Sequence, residues 1–207
     1  MTKFLINRPK TGALAQFVMA HGAGAPMDHP FMNTIAEGLA QNGLVVSRFE
    51  FPYMAKRRAT GKGGGPGSPK VLLQTWRDVI NEYKGDLPLF IGGKSMGGRI
   101  ASMVADEPGI SGVVCLGYPF HPPGKPEKLR TEHLRTMPVP MLVIQGERDP
   151  FGNPEEVAGY DLADTVELVW VPDGDHSLKP RKKSGHTEEG NLALAITSIS
   201  DFIVRLV

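Results

Sequence analysis

The stretch Gly93-Lys94-Ser95-Met96-Gly97 places one serine midway between two glycines, and Gly92 and Gly98 extend the small flanks by one residue each. Glycine weakens strands and helices alike, so four of them around a single hydroxyl point to a need for space. The G-x-S-x-G spacing suits a serine carried on a sharp turn from strand to helix. Small residues two positions away let the elements close together and leave Oγ exposed as a nucleophile. A tight strand-to-helix turn without chemistry is the plainer reading of the same glycines. A phosphate-binding reading of Gly-Lys-Ser fails, because that loop needs glycine where Pro88 stands.

A serine hydroxyl attacks poorly until a base takes its proton and an acid orients the base. For a serine on such a turn the partners are expected later in the chain, acid first and histidine second. Asp149 ends the run "VIQGERD", in a turn after an apolar segment, and is the expected acid. Glu147 is its rival; Pro150 favours Asp149 by stopping the chain as a tight turn would. His176, in "VPDGDHSL", is the expected base. His21 and His121 precede the acid, and His186 lies farther into the last loop. The oxyanion formed on attack needs backbone donors. Met96 N–H, at the start of the following helix, is one; Gly22 or Ala23, in "HGAG", is the other. Lys94 and Arg148 adjoin two of these residues and are the expected substrate-binding cations. This chemistry calls for no metal and no cofactor.

Such a set must be held by regular elements. The apolar runs "KFLIN", "QFVMA", "LVVSRFEF", "LPLFIGG", "GVVCLGY", "VPMLVIQG" and "TVELVWV" read as strands. Between them, Asp28 caps a helix that has Pro30 in its first turn, and residues 56–69 read as a loop. Ser68 and Pro69 open a helix with Leu72, Trp76, Val79, Ile80 and Tyr83 on one face. The helix after Ser95 runs to about Asp106, and "PEEVAGYDLA" reads as another. The last, from about Thr187, lines up Leu192, Ile196, Ile199, Ile203 and Leu206. This alternation predicts an α/β domain with a mainly parallel sheet and helices on both faces. Its sites then lie at the carboxyl ends of the strands.

Composition limits the partners. With 207 residues, 41% hydrophobic and 22% charged, the chain suits a single domain, residues 1–207. A net charge of +1 predicts no nucleic-acid and no membrane partner. One cysteine, a charged "MTKFLINRPK" start and no uncharged run near membrane length lead to a cytoplasmic protein as the expectation. Nothing sets the oligomeric state.

Five stretches, "HGAGAPMDHPFM", "GGKSMGGRIAS", "GYPFHPPGKPEKLRTEHL", "IQGERDPFG" and "GDHSLKP", together resemble one small alpha/beta-hydrolase group. That group is related to testis-expressed protein thirty and to the third subunit of the non-specific-lethal chromatin complex, within a wider dienelactone-hydrolase-like set. The resemblance spans nearly the whole chain and implies the alpha/beta-hydrolase fold. By it, Ser95, Asp149 and His176 fall on nucleophile, acid and base, and "HGAG" on the oxyanion loop. Dienelactone enzymes proper use a cysteine nucleophile, so their substrate does not carry over to a chain with serine. One branch of the group works as a complex subunit.

Two functions of different class follow. The first is a serine hydrolase cleaving a small soluble ester or thioester through an acyl-Ser95 intermediate. The second is a catalytically silent hydrolase-fold module that binds protein and keeps the turn as architecture. About twenty proline-rich residues separate the strand ending near Gly117 from the one starting near Val139, too few for a lid domain. Lys56, Arg57, Arg58 and Lys62 follow one strand, and Lys179, Arg181, Lys182 and Lys183 follow another. With Lys94 and Arg148 they would form a basic rim that steers an anionic substrate, such as an acyl-coenzyme A or a carboxylate-bearing ester. The alternative is a set of solvated loop charges, partly neutralised by Asp173, Asp175, Glu188 and Glu189.

Overall fold

All seven apolar runs form strands: β1 (Phe4–Asn7), β2 (Ala15–Ala20), β3 (Leu44–Phe49), β4 (Leu89–Lys94), β5 (Ile110–Leu116), β6 (Met141–Gly146) and β7 (Val166–Val171). The computed structural model describes residues 2–83 and 85–207. The strands make one sheet in the order β1-β3-β2-β4-β5-β6-β7. Every pairing is parallel except β1, which runs antiparallel to β3 with Phe4 opposite Phe49. In β2, β3 and β6 every residue is buried, as mainly apolar runs require in a sheet covered on both faces.

The helices are α1 (Pro30–Gln41), α2 (Pro52–Thr60), α3 (Pro69–Glu82), α4 (Met96–Ser102), α5 (Pro154–Val157) and α6 (Glu188–Val204). One face of the sheet buries Ile35 and Leu39 of α1 with Ala195, Ile199 and Phe202 of α6. The other buries Leu72, Trp76 and Val79 of α3 with Ile100 and Ala101 of α4. Trp76 also donates from Nε1 to Gly97 O at 3.3 Å, tying α3 to the first turn of α4. Near that junction the single cysteine, Cys115 of β5, is fully buried. A Cβ on Gly98 would lie 2.7 Å from its Sγ.

Several elements differ from expectation. His29, not Asp28, caps α1, accepting at Nδ1 from Phe31 N–H at 3.3 Å; Asp28 turns instead to Arg58. Residues 56–60, read as loop, are the last turns of α2, which starts at Pro52 and stops at left-handed Gly61. That helix buries only Met54, so it carries almost no apolar period to detect. α4 ends at Ser102, whose hydroxyl donates to Arg99 O, and turns follow. α5 spans only Pro154–Val157, held by an Asn153–Glu156 capping box. On α6, Leu206 lies past the end and is exposed.

After β5, the segment between Gly117 and Val139 holds only a short 3-10 turn, Glu132–Thr136. Tyr118, Phe120, Leu134 and Met137 pack it into the α3 side of the core. It lies along the domain and forms no lid.

Candidate active site

β4 delivers Ser95 in a conformation that side-chain-bearing residues seldom adopt, φ 51° and ψ −117°. Such strain, of order 1–3 kcal/mol, persists only where the surroundings enforce it. They do so here by close approach of the backbone. A Cβ on Gly93 would fall inside the Ala20 backbone, and one on Gly97 would lie 2.5 Å from Ala20 O and 2.6 Å from His21 O. The two glycines of G-x-S-x-G therefore let the elbow press against the end of β2. Ser95 N–H donates to Leu116 O at 2.9 Å on the other side, which pins the turn between two strands.

Asp149 sits in the turn after β6, with its side chain fully buried. Its Oδ1 accepts from Phe151 N–H at 2.9 Å, and its Oδ2 from Gln145 Nε2 at 3.0 Å. Oδ2 also lies 2.8 Å from His176 Nδ1. An ionised carboxylate only accepts, so this contact places the imidazole proton on Nδ1 and leaves Nε2 bare. Ser95 Oγ stands 2.8 Å from that Nε2 and can donate to it. The residues expected as nucleophile, base and acid are thus hydrogen-bonded in a row. The rival, Glu147, turns away and accepts from Asp173 N–H at 2.8 Å, bracing the histidine turn from behind.

Two residues without a motif hold this arrangement. Gln145, buried in β6, accepts from Tyr118 N–H and donates to Tyr118 O, Gly152 O and Asp149, locking the acid turn to the end of β5. Asn191, in the first turn of α6, donates to Pro172 O at 3.1 Å and Leu178 O at 2.8 Å, which clasps the turn that carries His176. A polar residue inside an apolar strand is the one sequence signal for Gln145; Asn191 has none. Phe151 lies against the imidazole, ring centroids 4.3 Å apart.

The "HGAG" turn is equally fixed. His21, fully buried, donates from Nδ1 to Gly22 O at 2.6 Å and accepts at Nε2 from Phe51 N–H at 3.1 Å. Burial lowers its pKa, so it stays a neutral bracket. Tyr53 donates to Ala23 O at 2.9 Å, and desolvation pushes its phenol up to about 12. In a planar trans peptide the N–H opposes the C=O, so Gly22 O, held toward His21, turns Ala23 N–H the other way. Gly22 and Ala23 both line a cavity of about 360 Å³ with Ser95 and His176. Met96 is the first residue of α4, ahead of the first ladder bond from Arg99 N–H to Ser95 O. His121 is buried against Pro122 O and Glu156, and His186 is exposed; neither lines the cavity.

The two expected substrate-binding cations part company. Lys94 lines the cavity. Arg148 does not: its Nε bonds Asp173 O at 2.9 Å and pairs with Asp173 Oδ1 at 3.0 Å, which removes it from substrate. Three more of the ten cations of the expected rim are spent likewise. Arg58 pairs with Asp28 and Glu50, Lys179 with Glu188, and Arg181 with Asp173, whose carboxyl it holds down to about 2.

A family described as alpha/beta hydrolase domain matches residues 13–204. The chain belongs to the alpha/beta hydrolase domain family. Solved structures share this hydrolase fold along almost the whole chain. A dienelactone hydrolase from Anabaena variabilis is 22% identical, with 100% of this chain and 92% of that one covered and a TM-score of 0.76. An alpha-beta serine hydrolase homologue from Coxiella burnetii is 22% identical, with 99% and 90% covered and a TM-score of 0.66. A Xanthomonas campestris serine hydrolase described as lacking a lid is 18% identical, with 99% and 88% covered and a TM-score of 0.67. Among the described residues of this hydrolase domain, no helix is long and apolar enough to cross a membrane.

Proposed function

We propose that the chain, acting as one hydrolase domain, is a serine hydrolase that cleaves a small soluble ester or thioester through an acyl-Ser95 intermediate. One observation carries this reading: Ser95 Oγ, His176 Nε2, His176 Nδ1 and Asp149 Oδ2 line up through two contacts of 2.8 Å. As Ser95 Oγ attacks the carbonyl carbon, His176 Nε2 takes its proton. The charge gathering on the carbonyl oxygen is met by Met96 N–H and by Ala23 N–H, with Gly22 N–H the alternative. Collapse expels the alcohol or thiol, which takes the proton from His176. Water then repeats the sequence on the acyl-serine, releasing acid and free Ser95. Asp149 keeps the imidazole in the tautomer this requires and steadies the imidazolium.

The cavity is bordered by loops and the start of α1, with no lid element among its lining residues, which suits soluble substrates. The single buried cysteine fits a cytoplasmic setting. The narrower kinship to the testis-expressed protein thirty group rests on the five motif stretches and names no substrate.

A fluorophosphonate probe tests the reading. Stoichiometric labelling at Ser95, absent in Ser95→Ala, is expected. A folded wild-type chain that takes no label refutes it and favours the silent interaction module.

A further inference from the structure

Lys94 closes β4, one residue before Ser95, and its half-buried side chain reaches the Ser95 cavity. Its Nζ stands 5.9 Å from the ring centroid of Phe31. A Cβ added to Gly117 would lie 3.0 Å from Nζ and 3.3 Å from His176 Cε1, so ammonium and imidazole border the same small space. Arg58, Arg148, Arg181 and Lys179 each meet a carboxylate; among the described residues Lys94 meets none. Asp149 and Asp175 act on it only at a distance. Their pull offsets part of the burial that brings its pKa down from 10.5 to about 8, and below that pH it remains an ammonium.

An ammonium partly withdrawn from water without a counter-charge is an unmet electrostatic demand. Here the demand is placed beside a nucleophile, in the cavity where substrate must sit. The cavity, about 360 Å³, lies at the small end of ligand pockets, and Phe31, Met32 and Phe151 give it an apolar wall. A short molecule with a few carbons between its ester and an anionic end matches that lining. Lysine, a point charge on a flexible stem, can follow such an end without the fixed fork of arginine.

We infer that Lys94 is the receptor for a substrate carboxylate, and that the site takes short esters bearing a carboxylate a few bonds from the scissile carbonyl. This rests on the serine-hydrolase reading above. A half-ester of a short dicarboxylic acid is the simplest such molecule: Ser95 forms the half-acyl enzyme, the alcohol leaves with the proton from His176, and water frees the diacid.

The test compares methanol release from monomethyl succinate and from methyl 4-methylpentanoate, whose isopropyl group replaces the carboxylate. For the intact chain kcat/KM is expected to favour the anionic ester by about 10–100-fold, the range of a charge-assisted hydrogen bond. In Lys94→Met that ratio should fall to one or below, whereas Lys182→Glu with Lys183→Glu, on the exposed loop, should retain it. A wild-type ratio near one overturns the inference. So does a Lys94→Met loss equal for both esters, which would assign Lys94 to the electrostatics of His176 and Asp149. Should Lys94→Met fail to fold, inhibition of the neutral ester reaction in the intact chain decides: succinate must compete where 4-methylpentanamide does not, and equal inhibition refutes the receptor. Fluorophosphonate labelling of the same preparations separates the two readings. A labelled chain with a ratio of one refutes the Lys94 receptor alone; an unlabelled chain refutes the hydrolase beneath it.

Discussion

The cavity beside the carboxyl end of β3, about 560 Å³, and the one at Ser95, about 360 Å³, are both bordered by turns that follow parallel strands. In the first, the buried charge is settled internally. Glu50 takes two hydrogen bonds from Arg58 and one from Met27 N–H, and Arg58 forks onto Asp28 as well. In the second, a serine is held at positive φ and a lysine is left without a carboxylate. The larger cavity obeys the local rules of stability and the smaller one breaks two of them within adjacent residues. Volume does not separate the two cavities; unresolved strain and charge do.

That contrast can be broken by mutation. The largest expected effect is at Asp149. Asp149→Asn should leave the fold in place yet cut turnover by about 10⁴, because the amide favours the wrong imidazole tautomer. Glu147→Gln, at a side chain whose hydrogen bond among the described residues is from Asp173 N–H, should change turnover little, and the reverse pattern in steady-state kinetics would hand the role to Glu147.

A pH series sharpens the contrast next. Lys94 has a folded pKa of about 8 against an ordinary 10.5, so its ammonium is present below about pH 8 and lost as pH rises through it. The preference for the anionic ester should fade across that same interval. Stability moves oppositely, because the unfolded chain holds the proton more tightly than the folded one. Lys94→Met should melt higher than wild type near pH 7, and the gap should close between about pH 8 and pH 10.5.

Smaller again is Asn191→Ala, which frees the His176 turn from α6 and strands two carbonyls. A loss of about 1–3 kcal/mol in denaturant unfolding is expected, with a fall in kcat that exceeds any change in KM. Smallest is Arg58→Met, which leaves buried Glu50 unpaired. Since Arg58 is itself largely exposed, a loss of only about 1 kcal/mol is expected, with ester turnover at the wild-type level. A catalytic defect there would abolish the distinction between the two cavities.

The sequence was most readable where period or punctuation speaks. The strand runs are mainly apolar because both faces are covered, and the glycines flanking Ser95 mark a steric conflict with Ala20 and His21 that no other residue would relieve. Ser95, expected from its flanking glycines, and Asp149 and His176, expected from their turns and order, are side chains that hydrogen-bond in a row. What stayed hidden depends on distant partners. α2 buries one residue and shows no stripe; Arg148 looked like a free cation until Asp173, 25 residues on, closed over it. Gln145, Asn191 and Tyr53 act through backbone atoms of other turns, and such bonds leave no pattern along the chain.

Cys115, sealed beneath Gly98 at the middle of the sheet, has its thiol pKa driven well up by burial, so almost no thiolate is presented in the native fold. It therefore serves as a built-in gauge of breathing. A thiol reagent can reach Sγ only when β4, α4 and β5 part, so the rate of its capture measures how often the centre of the molecule opens. An occupant of the Ser95 cavity that clamps the elbow would slow that clock without ever touching the sulfur.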